Sequence, residues 1–137
     1  MLTVYRVEHY DRRHGPYQAS WEKMNNRCRK LADKLDLEFI TDQHPPPSLD
    51  GIINFSADYY CGFDSLQALF DWFEKYLKEL QEHNYHVAVF EVEDSDTLRG
   101  GKQVMFKRKK CRRKQTLQLS EVKDETKQRI DPVAVSL

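Results

Sequence analysis

The sequence predicts one compact α+β domain, in which a small mixed or antiparallel sheet packs against two main helices. Three observations favour this fold class: polar and apolar residues alternate near the N-terminus, two later segments have helical spacing, and a nearly continuous apolar run follows them. The chain has 137 residues, which is enough to bury a core of that size. Aromatic residues make up 12% of it, which argues against a disordered chain.

The first half of the chain predicts a strand, a helix and a loop. The strand covers residues 2–8, and alternation places Tyr5 and Val7 on one face and Arg6 and Glu8 on the other. Ser20 then offers an N-cap for an amphipathic helix that runs to Leu35. Residues 42–51 contain three consecutive prolines, which lack N–H donors, so we expect a surface loop or lid there.

The second half predicts one long helix between strands. A weak strand pattern covers residues 52–56, and Asp64 then opens a helix whose apolar residues recur at spacings of three and four as far as Leu80. Residues 86–92, HVAVFEV, are apolar and rich in β-branched and aromatic side chains, which favours the middle of a sheet. Residues 94–101 predict a turn, and KQVMF at 102–106 predicts a final strand.

Charge is unevenly distributed along the chain, although the formal net charge is zero. Residues 107–137 hold ten Lys and Arg against four Asp and Glu, whereas residues 64–96 hold nine acidic residues and two lysines. No clear apolar face follows residue 106, apart from a weak helical pattern near residues 120–130. We therefore expect a compact domain over residues 1–106 and a basic, loosely ordered tail with a short helix over residues 107–137.

The basic run KRKKCRRK at residues 107–114 is a candidate contact for nucleic acid or for a protein partner. Its seven cationic residues are Lys107, Arg108, Lys109, Lys110, Arg112, Arg113 and Lys114. Such a run can neutralise phosphates without reading sequence, but it lacks the interleaved aromatic residues that stack on single-stranded bases. The alternative interpretation is a solvated tail, or one that contacts the acidic segment of residues 64–96.

Several other classes of protein are disfavoured. No run of 18 apolar residues occurs, and the N-terminus becomes charged too early for a signal peptide, so we expect neither a membrane span nor export. Three widely spaced cysteines favour a reducing cytoplasm. The five histidines lack metal-ligand spacing, and no glycine-rich phosphate loop occurs, so we expect no metal site and none of the common nucleotide folds.

The order of several segments resembles the ADP-ribosyltransferase-like fold over residues 1–106. These segments are VYRVEH at 4–9, GPY at 15–17, YYCGF at 59–63 ahead of a helix, VAVFEVE at 87–93 and QVMF at 103–106. In that superfamily a first strand presents an Arg or His toward NAD, and a middle segment carries a Ser or an aromatic residue. A late strand carries an acidic or amide residue, often within the pattern Glu-Val-x-Phe.

This resemblance implies an NAD site and an enzyme that modifies a protein or nucleic acid. The implied catalytic residues are Arg6 and Gln103, and the implied NAD contacts are Arg6, His9, Tyr17, Tyr60 and Ser65. Gln103 stands where many active members carry glutamate. A glutamine can hydrogen-bond ribose, but it cannot offer a negative charge to a developing cation, so the departure puts catalysis in doubt more than binding.

Two further functions stay open. The polar surface and divided charge are similar in style to the small, non-enzymatic accessory proteins of phages and mobile elements, which bind and inhibit a host protein. In that case the acidic segment would mimic the charge of nucleic acid. The other function is nucleic-acid binding through residues 107–114. For Arg6 the alternative to ligand binding is a structural role, in which it pairs with a neighbouring acid.

Overall fold

The computed structural model describes residues 1–10, 50–52, 55–56 and 58–122. These ranges contain strands β1 (Leu2–His9), β2 (Tyr59–Gly62), β3 (Tyr85–Val92), β4 (Thr97–Arg99), β5 (Val104–Lys107) and β6 (Arg112–Leu117), and helices α1 (Leu66–Phe73) and α2 (Leu77–Glu82). The predicted α+β class is confirmed. The helix predicted after Ser20 and most of the proline-rich loop lie outside the described residues.

The strands form two antiparallel three-stranded sheets that meet at β1. The first sheet has the order β1-β3-β6 and the second has the order β2-β5-β4. Two backbone hydrogen bonds between Tyr5 and Phe63, of 2.7 and 2.8 Å, join β1 to the end of β2. Gly62 permits this approach, because a Cβ at that position would lie 2.6 Å from Val4 Cγ1 and 3.0 Å from the Tyr5 carbonyl oxygen.

The alternation predicted for β1 separates its side chains between two apolar clusters. Val7 belongs to the cluster that includes the buried side chains of both helices. Val4 belongs to a second cluster with Phe106, which lies on β5 of the other sheet. Arg6 and Glu8 share the face of Val4, so both charged side chains are directed toward the region between the sheets. Both residues are buried.

The single long helix predicted after residue 63 is two helices, and its N-cap is Ser65 rather than Asp64. The Ser65 hydroxyl accepts a hydrogen bond of 3.0 Å from the Ala68 N–H, the usual geometry of a serine N-cap. Between the helices the Tyr76 N–H bonds the Phe73 carbonyl at 2.8 Å, which is a tighter i to i−3 turn. Apolar spacing alone did not predict this break.

β3 is the central strand of the first sheet, as its apolar composition predicted. Seven of its eight residues are buried, because β1 and β6 flank it and an apolar cluster covers each of its faces. The chain enters β3 from α2 through Asn84, whose φ of 67° is a left-handed conformation that asparagine tolerates. The Asn84 carbonyl accepts a hydrogen bond of 2.7 Å from the Tyr10 N–H, which ties the end of β1 to this turn.

Lys107 and residues 112–117 belong to the sheets and a 3-10 turn, Arg108–Lys110, lies between them, whereas the sequence predicted a loosely ordered tail from residue 107. Lys107 ends β5, and β6 pairs with β3 from Leu117 opposite Val87 to Arg112 opposite Glu91. The sequence did not predict β6 because this strand has no apolar face: five of its six residues are exposed. An edge strand needs backbone hydrogen bonds on one side only, and charged side chains suit its free edge.

Three shorter segments with predicted structure are residues 52–56, 94–101 and 120–130. The predicted turn over residues 94–101 contains β4, which pairs with β5 from Thr97 opposite Phe106 to Arg99 opposite Val104. The weak strand pattern at residues 52–56 and the helix predicted near residues 120–130 lie partly outside the described residues. Within the described ranges, neither helix is long and apolar enough to cross a membrane.

Candidate functional site

Glu8 is a fully buried carboxylate that three arginines contact. Arg6 Nε donates to its Oε2 at 3.0 Å. Arg108 donates from Nε to Oε2 at 2.8 Å and from Nη2 to Oε1 at 3.1 Å, and Arg113 Nη1 lies 3.6 Å from Oε1. These contacts compensate the carboxylate for its lost hydration. We call Glu8, Arg6, Arg108 and Arg113 the Glu8 cluster.

Three segments that are distant in sequence supply the cluster. Arg6 and Glu8 lie two residues apart on one face of β1, Arg108 begins the 3-10 turn that follows β5, and Arg113 lies on β6 opposite Phe90. The Phe90 ring centroid is 5.2 Å from Arg108 Cζ and 6.0 Å from Arg113 Cζ. A guanidinium near an aromatic ring is attracted by the ring electrons, so Phe90 helps to hold both arginines in place.

The cluster has more positive than negative charge, and the arginines differ in environment. Burial lowers the pKa of Arg6, with Glu8 acting in the opposite direction, and the Arg6 Nη1 donates to the Cys61 carbonyl at 2.8 Å. The hydrogen bonds to Glu8 raise the pKa of Arg108. The Arg108 and Arg113 side chains are 21% and 33% exposed, so the positive charge of the cluster reaches solvent through these two residues.

His86 lies beside the cluster as a neutral imidazole. It is opposite Glu8 in the pairing of β1 with β3, and its Nε2 is 3.2 Å from Arg113 Nη2. A guanidinium can only donate, so Nε2 accepts and Nδ1 carries the proton. Burial, followed by the charge of Arg113, lowers the pKa of His86. Its buried Nδ1 has no hydrogen-bond partner among the residues that the structure describes.

The basic run is a fixed array rather than a tail, and we call residues 107–114 the basic ribbon. Strand pairing holds both of its ends, at Lys107 in β5 and at the start of β6. Five of its cationic side chains belong to exposed residues, namely Lys109, Lys110, Arg112, Arg113 and Lys114. Lys114 pairs with Glu91 at 3.2 Å, whereas Lys110 and Arg112 make no ion pair within the described part of the chain. The ribbon thus presents uncompensated positive charge on a folded backbone.

A separate cavity of about 490 Å³ lies between α1 and the loop that joins β4 to β5. Its lining includes the acidic side chains of Asp64, Asp71 and Glu74, together with Trp72 and Gln103. Arg99 and Asp64, which both line the cavity, form an ion pair in which Arg99 Nη1 lies 3.1 Å from Asp64 Oδ2. The lining therefore combines an apolar wall with three carboxylates and two cations, Arg99 and Lys102, and we call it the acidic cavity because the carboxylates outnumber the cations.

Asp50 fixes the loop beside this cavity. Its carboxylate accepts hydrogen bonds of 2.9 Å from the N–H groups of Lys102 and Gln103, and its carbonyl accepts one of 2.9 Å from the Gly101 N–H. A carboxylate that binds successive N–H groups replaces the backbone partners that a tight loop lacks. Gln103 is thus held by its backbone and is 4% exposed.

The structure brings together some of the residues that the resemblance assigned to NAD and leaves others apart. Arg6 Cζ lies 5.0 Å from the Tyr60 ring centroid, and His9 is buried with its ring against Tyr85. Ser65 caps α1, and Gln103 lines the acidic cavity, to whose lining Arg6 does not belong. Tyr17 lies outside the described residues. The NAD site stays a prediction.

Sequence reasoning missed Glu8 as the centre of a cluster. The available signal was that strand alternation places the Arg6 and Glu8 side chains on the same face of a largely apolar strand. This pattern favours a buried ion pair. The partnership with Arg108, 100 residues away, had no local signal. Among the described residues, no group of three or more His, Cys, Asp or Glu side chains could hold a metal ion.

Comparison with known proteins gives one finding. A family model described as Bacteriophage T4 Y00F protein matches residues 1–120. A search of curated proteins and a search of solved structures each found no significant match. The matched range begins before β1 and extends past the end of β6, so the family model includes the basic ribbon and both sheets.

Proposed function

The chain belongs to the bacteriophage T4 Y00F protein family, and from that premise we propose that it is a non-enzymatic phage accessory protein that binds nucleic acid through the basic ribbon. One observation carries the proposal: seven of eight consecutive residues are cationic, and strand pairing fixes both ends of the segment that carries them. A pre-ordered cationic surface loses less conformational entropy on binding than a disordered tail would.

The chemistry of the ribbon suits phosphate groups rather than base edges. Lys and Arg are the main phosphate-binding side chains, and such contacts position a protein on a duplex without reading its sequence. Arg112 and Lys114 are exposed cations of β6, and Lys109 and Lys110 are exposed cations of the turn before it.

Salt dependence of duplex binding tests the proposal. The measurement is fluorescence anisotropy of a labelled DNA duplex with the full chain, over a series of salt concentrations and with two unrelated duplex sequences. If four or five cations contact phosphates, the logarithm of the binding constant falls with the logarithm of salt with a slope of about −4. Both sequences should bind equally. Absence of binding at low salt, or binding that salt does not weaken, would contradict the proposal.

A second function is supported by the acidic cavity. Asp64, Asp71 and Glu74 line it together with the buried side chain of Trp72. Carboxylates around an apolar wall suit a basic segment of a host protein, which the accessory-protein alternative requires. Asp71→Asn combined with Glu74→Gln should weaken capture of such a partner, whereas duplex binding should persist because every cation of the basic ribbon is kept, so the two functions are separable by experiment.

A further inference from the structure

Arg108 and Arg113 have more positive charge than their described surroundings compensate. Both contact one anion, Glu8, and share it with Arg6. Neither makes an ion pair with any other acidic residue in the part of the chain that the structure describes. Glu8 balances one of the three guanidinium charges that contact it, so Arg108 and Arg113 keep positive charge that an anionic ligand could meet.

Both arginines also retain donors that the described residues do not use. Arg108 bonds Glu8 through Nε and Nη2, and its Nη1 makes no hydrogen bond to any described residue. Arg113 Nη2 donates to Thr116 Oγ1 at 2.8 Å and to His86, whereas its Nε makes no hydrogen bond to any described residue. Both side chains are partly exposed to solvent.

The two guanidinium groups are neighbours. Each has a nitrogen close to the same oxygen, Glu8 Oε1, at 3.1 Å for Arg108 and 3.6 Å for Arg113. Each also lies against the ring of Phe90. Contacts on a buried carboxylate and a buried ring restrict their rotamers, so the unused donors are ordered before any ligand arrives.

We propose that Arg108 and Arg113 form a phosphate-binding site, with Glu8 as the positioning residue that orients both guanidinium groups. Planar guanidinium donors match the oxygens of a phosphate group, and partial burial strengthens such a contact relative to one at an exposed lysine. The assignment of the phosphate to a nucleic-acid backbone rests on the proposed function, whereas the phosphate chemistry rests on the arginine pair itself. A free phosphorylated small molecule would offer the same chemistry.

A charge-conserving substitution tests the site on DNA. Arg113→Lys keeps the positive charge but removes the planar donors, so duplex affinity should fall about tenfold, as expected for one lost charge-assisted hydrogen bond. The matched control is Arg112→Lys, one residue earlier on β6 and without a contact to Glu8, which should change affinity less than twofold. The salt slope should stay unchanged in both variants. Equal small effects in a folded Arg113→Lys protein would overturn the inference and leave the proposed function standing.

Inorganic phosphate, titrated into the isotope-labelled wild-type protein, tests the site without DNA. The NMR resonance of the Arg113 Nε–H should shift saturably, and that of Arg112 should shift much less. Saturable shifts in a protein that binds no duplex would refute the proposed function and support the phosphate site, whose ligand would then be a small phosphorylated compound. If the Arg113 resonance does not shift, the inference is overturned. This test uses the wild-type protein, so it decides the question even if the Arg113→Lys protein does not fold.

Discussion

Arg108 Nε donates a hydrogen bond of 2.8 Å to Glu8 Oε2, although the two residues lie 100 positions apart in the chain. The bond connects the first strand to the basic ribbon between the two sheets. It makes the ribbon part of the folded domain, and it gives Glu8 two roles. Glu8 stabilises the region between the sheets, and it orients the cations that we assign to phosphate.

The first prediction concerns the stability of the Glu8 cluster. Glu8→Gln keeps the shape of the side chain but removes the anion between three arginines, so the free energy of unfolding should fall by about 3 to 5 kcal/mol. Urea denaturation measures this change. Glu91→Gln is the control, because Glu91 pairs with the exposed Lys114 and should cost no more than about 1 kcal/mol. Equal losses for both variants would show that the buried carboxylate has no special role.

The second prediction concerns the number of phosphates that the ribbon contacts. Lys109→Ala combined with Lys110→Ala removes two exposed cations, so the salt slope of duplex binding should become less steep by about 1.8, at about 0.9 per phosphate. Lys75→Ala combined with Lys78→Ala removes two exposed cations outside the ribbon and should leave the slope unchanged. A similar change in both double variants would indicate that net charge, not the ribbon, determines binding.

The third prediction concerns pH. The pKa of His86 in the folded protein is below the value of about 6.5 expected in the unfolded chain. As pH falls below about 6.5 the unfolded chain binds a proton that the folded protein does not, so His86 favours unfolding. Its contribution to stability is therefore present above about pH 6.5 and lost as pH falls toward the folded pKa.

His86→Gln tests this dependence, because glutamine keeps an acceptor for Arg113 but does not titrate. The free energy of unfolding, measured by urea denaturation from pH 8 to pH 5, should fall less in the variant than in the wild type. Arg113, Glu8 and His9 are the charged or titratable neighbours of His86 and remain in both proteins. Identical pH profiles would contradict the assignment to His86.

The fourth prediction concerns the loop held by Asp50. A Cβ at position 100 would meet the Asp50 carboxylate and lie 2.8 Å from its carbonyl oxygen, so Gly100→Ala forces backbone apart. We expect a loss of about 1 to 3 kcal/mol in unfolding free energy. Gly101→Ala is the control, since its Cβ would meet only the Asp50 Oδ1 at 3.2 Å, a contact that a small shift of the carboxylate relieves. The idea fails if both alanine variants melt at the same temperature.

The fifth prediction comes from the ADP-ribosyltransferase-like resemblance. It predicts saturable heat when NAD is titrated into the wild-type protein in a calorimeter, and loss of that heat in Arg6→Ala. Because Arg6 also binds the buried Glu8, Arg108→Ala is the necessary control: it removes another Glu8 partner but no residue that the resemblance assigns to NAD. No heat from folded wild-type protein would refute the NAD site.

Local pattern was sufficient for much of the fold. Alternation in residues 2–8 predicted β1 and the face that Arg6 and Glu8 share, and the apolar run at 86–92 predicted the central strand. Local pattern was insufficient where the structure depends on which of several nearby groups makes a hydrogen bond. The break between α1 and α2 leaves the apolar spacing in phase, so spacing could not predict it. The N-cap is Ser65 and not the predicted Asp64, because it is the Ser65 hydroxyl that accepts the Ala68 N–H.

The sequence by itself determined the fold class, the alternating first strand, the central strand and the concentration of positive charge at residues 107–114, since each depends on residues close together in the chain. Only the tertiary structure decided that the last part of this charge, Arg112 to Lys114, lies on an edge strand and that Glu8, Arg6, Arg108 and Arg113 form one cluster. An edge strand is stabilised by backbone hydrogen bonds to its neighbour, which leave no apolar signature in its own side chains. A buried ion pair between distant residues likewise forms only when folding brings both partners out of water together.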